Sequence, residues 1–464
     1  MSRTSEGTGG TGRLGPASRR RLLAGLAGAG GAALAAGCGV PGGAPSGGGA
    51  PSRAAGGSAV FMAWGDTERT RIRDGLVPRI QDTSGVKAEW IHTGEGGAAY
   101  YDKLQSMVAS DTAPDLFLFA PSYFLEFVQA NRLAALTPMI KRDRYDLADF
   151  PVPSIEQYTW QGTQQGFPQD FPTRGLAYNV DLFERAGVPL PPRDYAFAPS
   201  AWSWQTFLEA ARKTTAGDPE AGGTFGFNTN FGWRPYSVWA FTNGGEFFNK
   251  DLTECTITEP RTVEALQWVA DLIGRYRVAP TRAITARERY NPLFVNGRVA
   301  MIESLPADLG VFRAAAGLRF DVAPLPVSPT GKKAATGGGS GQGMASSSKN
   351  KDAAWEFLKF MLGPEAQLEH ARGGQTFPSR KSIQLHPQVA VADQMPRSFK
   401  MFVEGQQHVR LDPQLTNWRD VEAAIGKELT PLWDGQRSAR EAATLVKGVV
   451  DPLLKEAQAR KPRD

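Results

Sequence analysis

The sequence has very few of the residues that build metal sites. Its 464 residues include 2 cysteines and 4 histidines, and the histidines, His92, His370, His386 and His408, are far apart in the chain. It contains no HExxH motif and no cysteine-rich spacing, so nothing in it supports a transition-metal site. We therefore predict that the protein binds neither a metal nor a cofactor.

Motifs of two common enzyme classes are also missing. No GxSxG nucleophile elbow occurs, and the glycine-rich stretch GKKAATGGGSGQGMASSSKNK fits neither the P-loop pattern nor GxGxxG. We expect its glycines to let the backbone pass close to another strand or to a ligand. Paired carboxylates for glycoside hydrolysis are not recognisable from one sequence, because Asp and Glu are plentiful. We predict a protein that is not an enzyme, with an exported glycan-cleaving enzyme as the alternative.

The body of the chain lacks an excess of positive charge. The formal net charge is +5, but residues 1–37 carry five arginines and one glutamate, a net of +4, which leaves about +1 (5 − 4) for the rest. That balance removes the electrostatic argument for a polyanionic partner. We predict no nucleic-acid binding.

Residues 1–37 resemble an export signal. The arginines of SRRRLL precede an apolar run at 22–36 that is too short and too rich in small residues to span a bilayer. Arg19 and Arg20 resemble the pair of a twin-arginine signal, although ordinary export signals also begin with arginines.

The signal ends in LAAGC, which resembles the lipidation site of bacterial lipoproteins. In those proteins the thiol, here that of Cys38, takes a diacylglyceryl group and becomes the mature N-terminus. The alternative is cleavage near Ala36 that leaves a free thiol. With Cys38 lipidated no intramolecular disulfide forms, and Cys255 is expected to be a small buried hydrophobe. Residues 38–57 have the composition of a flexible tether.

Strand and helix patterns alternate from residue 58 onward. The apolar strand VFMAW, a helix containing Ile72 and Leu76, a strand at 86–91, a helix at 101–109 and the apolar run LFLF follow one another. This order predicts an α/β fold with a largely parallel sheet, whose ligand crevice lies beyond the carboxyl ends of the strands. The length of the chain indicates two domains.

The stretch FPQDFPTRGLAYNVDLF, at 167–183, is predicted to cross between the two domains. Pro168 and Pro172 favour an extended strip, Gly175 releases it into a short strand, and Asp181 is expected to cap the following helix. We expect Asp170 to face the cleft, so that its replacement by alanine weakens solute binding with little loss of thermal stability.

Seven segments of the chain follow one another in the order typical of a single known family. They are APDLFLFAPSYFLEFVQANRLAALTPMI, GLAYNVDLFERAGVPLPP, WSWQTFLEAA, FTNGGEFFN, FVNGRVAMIES, GGGSGQGMASSSKNKDAAWEFLKFML and TFPSRKS. Together they resemble the extracellular solute-binding proteins of bacterial ABC importers. The similarity is to the large sugar-binding lipoprotein type, which includes maltodextrin and glycerol-phosphate binders.

The resemblance implies a two-lobed periplasmic-binding-protein-like fold, with a ligand cleft between the lobes and a hinge that the chain crosses three times. We assign residues 58–170 and 301–338 to lobe one, and residues 171–300 and 339–464 to lobe two. The expected partners are a small solute and an ABC permease, and the protein is expected to be a monomer.

Aromatic faces that stack on sugar rings, with polar groups that bond the hydroxyls, are the implied site. The candidates are Trp64, Asp66, Ser122 and Tyr123 on lobe one, Asp170 at the hinge, and Trp233 and Tyr236 on lobe two. Here Pro306 is followed by Ala307 where maltodextrin binders have a tryptophan. A long maltodextrin ligand is therefore not favoured, and the candidate replacements are Glu303, Ser304, Gly339, Ser340 and Arg380.

These observations predict an exported receptor, anchored by lipid on the outer face of the cytoplasmic membrane, that binds a sugar or related polyhydroxyl solute and delivers it to an importer. A surface receptor that signals without transport is a further alternative. Each candidate residue also has an ordinary interpretation as loop structure or as a surface ion pair.

Overall fold

The computed structural model describes residues 57–94, 97–110, 112–218, 221–288, 290–372 and 376–459. The predicted export signal, Cys38 and the tether up to residue 56 lie outside these residues. None of the described helices combines the length and the apolar composition that crossing a membrane requires.

The strands are short and form two main sheets and two small ones. Their bounds are Ser58–Trp64 (β1), Lys87–Thr93 (β2), Leu116–Phe119 (β3), Thr159–Trp160 (β4), Thr163–Gln164 (β5), Phe167–Pro168 (β6), Gly175–Asn179 (β7), Phe225–Asn228 (β8), Val299–Ser304 (β9), Phe320–Ala323 (β10), Ala335–Thr336 (β11), Gly341–Met344 (β12) and Val409–Arg410 (β13).

The α-helices cover the faces of these sheets. Their bounds are Thr67–Ser84 (α1), Ala98–Ala109 (α2), Phe124–Gln129 (α3), Thr137–Asp143 (α4), Val152–Glu156 (α5), Val180–Arg185 (α6), Trp204–Thr214 (α7), Trp233–Thr242 (α8), Pro260–Ile273 (α9), Arg282–Arg287 (α10), Tyr290–Val295 (α11), Leu309–Ala314 (α12), Lys351–Met361 (α13), Pro364–Arg372 (α14), Lys381–Gln384 (α15), Met401–Gly405 (α16), Trp418–Trp433 (α17) and Ala439–Ala459 (α18).

The first sheet has the strand order β2-β1-β3-β12-β6. β1 pairs in parallel with β2 and with β3, which confirms the predicted parallel unit. β3 is buried along its whole length, as its continuous apolar sequence indicates. β12 runs antiparallel between β3 and β6. The carboxyl ends of β1 and β3 therefore lie side by side at one edge.

The second sheet has the order β10-β7-β9-β8, with β7 antiparallel to β9 and β8 parallel to β9. The ends of β8 and β9 and the start of β7 therefore share an edge. The helix after β7 is capped by Asn179, whose side chain accepts a hydrogen bond from the amide of Leu182 at 3.0 Å. The predicted cap, Asp181, lies instead in the first turn, where its charge favours the helix dipole.

Each main sheet has its own hydrophobic core, so we call the two units lobe one and lobe two. In lobe one the sheet packs against α13, and Phe61 and Phe357 are buried together. In lobe two α8 and α9 pack against α17 and α18, which brings Leu266, Val421 and Leu454 into one cluster. The two-lobed α/β fold is that predicted from the sequence.

Strand pairing corrects the predicted lobe boundaries. Residues 301–338 were expected in lobe one, but β9 and β10 pair within the second sheet. The whole of 339–464 was expected in lobe two, but β12 lies in the first sheet and α13 packs on it. The physical reason is that β12 completes the first sheet only after the chain has left lobe two.

The chain passes between the lobes three times, through 169–174, 324–340 and 376–417, which we call crossings one, two and three. Main-chain hydrogen bonds join them. The amide of Arg174 donates a hydrogen bond to the carbonyl of Thr336 at 2.8 Å, and the amide of Phe171 donates one to the carbonyl of Phe377 at 3.0 Å. Crossing one therefore bonds with both of the others.

A glycine in the glycine-rich stretch allows crossing two to approach crossing one. A Cβ atom placed on Gly339 would lie 2.2 Å from the carbonyl oxygen of Asp170. Only glycine fits so close to a neighbouring backbone. The expectation that glycines here let two segments pass closely is confirmed.

Replacing Gly339 by alanine is expected to lower the free energy of unfolding by about 1–3 kcal/mol, because the new Cβ forces the crossings apart. Gly448→Ala is the matched control, since a Cβ on Gly448, within α18, would meet no heavy atom within 4 Å. That change should raise stability by about 0.5–1 kcal/mol. Thermal unfolding of both variants and the parent provides the measurement, and equal stability of Gly339→Ala and the parent would contradict the argument.

Candidate functional site

Trp64 and Tyr123 lie at the carboxyl-end edge of the first sheet, as predicted. The Trp64 ring packs edge-on against Tyr100, with centroids 4.9 Å apart. Tyr123 stacks on Tyr101 at 3.5 Å with an interplanar angle of 12°, and the Tyr101 ring centroid lies 6.4 Å from that of Trp64. The lobe-one edge thus carries a continuous aromatic group that includes Tyr101, which the sequence interpretation did not name.

Two predicted polar candidates of lobe one flank this aromatic group. Asp66 is exposed, and its Oδ1 accepts a hydrogen bond from the amide of Arg69 at 2.9 Å as the N-cap of α1. Ser122 lies in the 3₁₀ turn Pro121–Tyr123 and is half-buried. Both lie at the predicted edge of the sheet, and Asp66 also caps α1 there.

Asp170, Gly339 and Ser340 come together where crossings one and two meet. The amide of Ser340 donates to Oδ1 of Asp170 at 2.8 Å. Although part of its surface remains accessible, Asp170 lies deep enough that burial raises its pKa to about 6, while the Ser340 amide opposes the rise. Since its carboxylate ties two crossings together, we now expect Asp170→Ala to cost stability as well, which revises the sequence-based expectation.

Glu303 is buried at the shared edge of the second sheet, and only 1% of its surface is exposed. Its Oε1 accepts a hydrogen bond from Nε1 of Trp239 at 2.9 Å. Burial raises its pKa to about 7, against the opposing effects of Trp239 and the nearby Arg174. The Thr229 hydroxyl also lies close to the carboxylate, but it donates its own hydrogen bond to the carbonyl of Asn230. Ser304, the next residue, is buried at the end of the same strand.

Trp233 and Tyr236 do not present their rings to the cleft, which corrects the prediction. Both are buried in the core of lobe two, with exposures of 5% and 2%. Trp233 packs edge-on against Trp418 at 5.0 Å and against Phe247 at 4.7 Å. The reason is that α8 is apolar on nearly all sides, and such a helix belongs inside a core.

Arg380 is likewise not brought to the cleft. Its Nη1 pairs with Asp149 at 3.1 Å, its Nη2 donates to the hydroxyl of Tyr145 at 2.8 Å, and its guanidinium lies over the Phe150 ring at 4.6 Å. All of these partners belong to lobe one. Arg380 is a structural residue that joins crossing three to that lobe.

A cavity of about 290 Å³ lies between the two lobes. Lobe one lines it with residues around the aromatic edge and with α5, and the other side comes from crossing three and the start of α17. The lining residues are Pro121, Phe124, Leu125, Glu156, Gln157, Leu411, Asp412, Pro413, Gln414, Leu415 and Trp418. None of the candidates predicted from the sequence is among them, although Ser122 and Tyr123 are chain neighbours of Pro121 and Phe124.

Two buried side chains that line this cavity carry unsatisfied polar atoms. Oε1 of Gln157 and Nε1 of Trp418 have no hydrogen-bond partner among the described residues, although the two side chains are only 6% and 2% exposed. An acceptor and a donor left in this way are costly unless something else satisfies them. Both atoms belong to residues that line the cavity, and no local sequence signal marks either residue.

Asp412, on the far side of the cavity, is held by a half-buried arginine. Arg234 donates to its two carboxylate oxygens at 3.0 and 2.6 Å, and Nη1 of Arg234 also donates to the carbonyl of Gly338 at 3.1 Å. Such a two-point pair fixes the carboxylate rigidly. The arrangement therefore links α8, crossing two and crossing three at the wall of the cavity.

No cluster of three or more His, Cys, Asp or Glu side chains in the described part of the chain is arranged to hold a metal ion. What the cavity offers is an apolar and aromatic lining with a few fixed polar groups. That combination suits a small polar organic molecule with an apolar face.

Comparisons with known proteins agree with the fold. A binding protein of Brucella abortus (strain 2308) is 25% identical over 370 residues, which cover 77% of this chain and 81% of that protein. The maltotriose-binding protein of Pyrococcus abyssi (strain GE5 / Orsay) is also 25% identical, over 70% of this chain and 68% of its own. The structure of the ABC substrate-binding protein from Listeria monocytogenes in complex with cycloalternan is similar, with a TM-score of 0.76 and 24% identity, over 86% of this chain and 100% of that chain.

The fold is thus that of the two-lobed periplasmic binding proteins. The model of the bacterial extracellular solute-binding protein family matches residues 69–368. Because this match covers more than half of its length, the chain belongs to that family.

Changing Glu303 to glutamine is expected to remove a pH dependence of stability. A carboxyl group whose pKa is about 7 when folded and near 4.5 when unfolded stabilises the fold fully below pH 4.5 and loses that effect as the pH rises through 7. The parent protein should therefore lose up to about 3 kcal/mol relative to Glu303→Gln between pH 4.5 and 8. Chemical unfolding across this range measures the difference, and parallel curves for the two proteins would refute it.

Proposed function

We propose that the protein is an extracytoplasmic receptor that captures a sugar or related polyhydroxyl solute between its lobes and delivers it to the permease of an ABC importer. The observation that carries the proposal is the interlobe cavity, where Gln157 of lobe one and Trp418 of lobe two both carry unsatisfied polar atoms. A solute bonded to both would join the lobes.

The chemistry of the cavity supports a sugar. A pyranose has an apolar C–H face and a polar rim, so it suits a partly exposed apolar wall such as that of Pro121, Leu411 and Pro413 beside fixed groups such as Asp412. Membership of the solute-binding family supports a small solute as the ligand. Two of the similar proteins support a sugar in particular, one named for maltotriose and one solved with cycloalternan.

Capture works by differential affinity for two arrangements of the lobes. A solute that contacts both lobes favours the closed arrangement, and the permease can distinguish that arrangement from the open one. The three crossings are the segments that would absorb such a motion. This function requires no catalytic residue.

The receptor is proposed to act as a monomer at the outer face of the cytoplasmic membrane. Lipid on Cys38 would provide the anchor, and the Gly-, Pro-, Ala- and Ser-rich residues up to 57 would provide the tether. Globomycin treatment and mass spectrometry of the N-terminal peptide of the mature protein would test the anchor directly.

Gln157→Ala is expected to weaken sugar binding about three- to tenfold, because one hydrogen bond to the solute is lost. Gln164→Ala is the matched control. Gln164 is a buried glutamine of the same lobe, its side-chain nitrogen bonds the carbonyls of Ile155 and Gly166, and it lies outside the cavity lining. The control should lose stability while keeping its affinity. Calorimetric titration with maltose, maltotriose and arabino-oligosaccharides, together with thermal unfolding, separates the two effects.

The same titrations decide between a receptor and the alternative of a glycan-cleaving enzyme. A receptor binds a sugar and returns it unchanged, so mass analysis after a long incubation should recover the intact oligosaccharide. Shortened products would favour the enzyme. Absence of binding to every sugar tested would overturn the proposed ligand class.

A further inference from the structure

Both faces of the Tyr123 ring are covered. Tyr101 stacks on the ring with its centroid 3.5 Å away, and the guanidinium carbon of Arg419 lies 4.1 Å from the same centroid. Two groups that close to one ring centre must lie on opposite faces. Tyr123 therefore has no face left for a sugar, although an aromatic ring at this edge is the kind of group on which a sugar stacks.

Arg419 reaches Tyr123 from the other lobe. It follows Trp418 at the start of α17, which packs in the core of lobe two. Its Nη1 donates to the Tyr123 hydroxyl at 3.1 Å, and its Nη2 pairs with Glu126 of α3 at 2.6 Å. These contacts place a guanidinium across the gap between the lobes.

This contact lies at the rim of the interlobe cavity. Pro121 and Phe124, on either side of Tyr123 in the chain, line the cavity, and so does Trp418, the neighbour of Arg419. Tyr123 and Arg419 themselves are not among the lining residues. Without the guanidinium, the free face of Tyr123 would extend the cavity.

We propose that Arg419 is a specificity-determining residue that limits the length of the solute. By occupying the stacking face of Tyr123 it closes one end of the cavity, which then accepts short saccharides and excludes longer chains that would continue over Tyr123. The inference rests on the proposed function, since it concerns which members of the sugar class bind.

Arg419 is held weakly enough to be removed without unfolding the protein. Its side chain is 46% exposed and that of Glu126 is 36% exposed, and ion pairs at such positions contribute little to stability. A guanidinium over an exposed aromatic ring adds a modest further attraction. A long saccharide that displaced Arg419 would lose both contacts, which gives short ones an advantage of about five- to tenfold.

The test compares Arg419→Ala with the parent in calorimetric titrations against two series, maltose to maltopentaose and arabinobiose to arabinopentaose. For the series that binds, the parent should prefer the disaccharide to the pentasaccharide. Arg419→Ala should bind the disaccharide with nearly the parent's affinity and gain about five- to tenfold for the pentasaccharide. Arg419→Lys retains the charge but lacks the flat stacking surface, so it should show a partial gain.

Arg410→Ala is the matched control. Arg410 also pairs with a glutamate, Glu246, and also lies over an aromatic ring, that of Phe241 at 4.9 Å. The two side chains of its ion pair are 45% and 41% exposed, close to the values for Arg419 and Glu126. Because Arg410 and both of its partners lie away from Tyr123, its loss should leave the length preference unchanged.

The outcomes separate this inference from the proposed function. Suppose that the parent binds sugars. The role of Arg419 is then refuted, while the receptor function stands, if Arg419→Ala keeps the parent's ratio of pentasaccharide to disaccharide affinity. The same conclusion follows if Arg410→Ala changes that ratio as much as Arg419→Ala does. If the parent binds no sugar in either series, the proposed ligand class fails and this inference fails with it.

Discussion

Main-chain hydrogen bonds between the three crossings are the constraint on which the rest of the structure depends. Crossing one bonds to crossing two through Arg174 and Thr336, and to crossing three through Phe171 and Phe377. Backbone groups in the middle of a protein must find partners, and here each crossing supplies them for the next. The lobes are therefore joined by three segments that share one hydrogen-bond network.

The cavity lies against this network, so the hinge and the candidate site share residues. Asp412, on the cavity wall, is fixed by Arg234, which also bonds the carbonyl of Gly338 in crossing two. Asp170 bonds the amide of Ser340 in the same crossing. Movement of the crossings would consequently change the shape of the cavity, which is the coupling that a solute-driven closure needs.

The first strands and helices could be predicted because their signals are local. The run LFLF and the strand pattern at 86–91 each depend on residues close in sequence. The lobe to which each segment belongs could not be predicted. β12, for example, is a short glycine-rich strand, and its sequence does not indicate with which strands it pairs. Prolines occur in all three crossings, for example Pro172, Pro324 and Pro378, so they do not by themselves mark which segments pass between the lobes.

The position of two candidates at the edge of the first sheet was predicted for the same reason. Trp64 and Tyr123 follow strands of one parallel sheet, and parallel topology places such residues at one edge. Gln157 and Trp418 meet only after distant parts of the chain have assembled, so no spacing reveals them. Trp233 and Arg380 were misassigned because side-chain type alone does not tell whether an aromatic ring or a guanidinium will be enclosed by its own lobe.

The passage of the chain between lobes has a consequence for the order of folding. The sheet of lobe one is incomplete until β12, the fourth strand in its spatial order, has been synthesised. The core of lobe two is incomplete until α17 and α18, which supply Val421, Leu454 and their neighbours, have been synthesised. Domains usually fold as their residues leave the ribosome or the export channel, N-terminal first. Here neither lobe can complete its core early, so apolar surface stays uncovered until late in synthesis. Loss of the last helix, α18, would damage lobe two, although the sheet of that lobe begins near the middle of the chain.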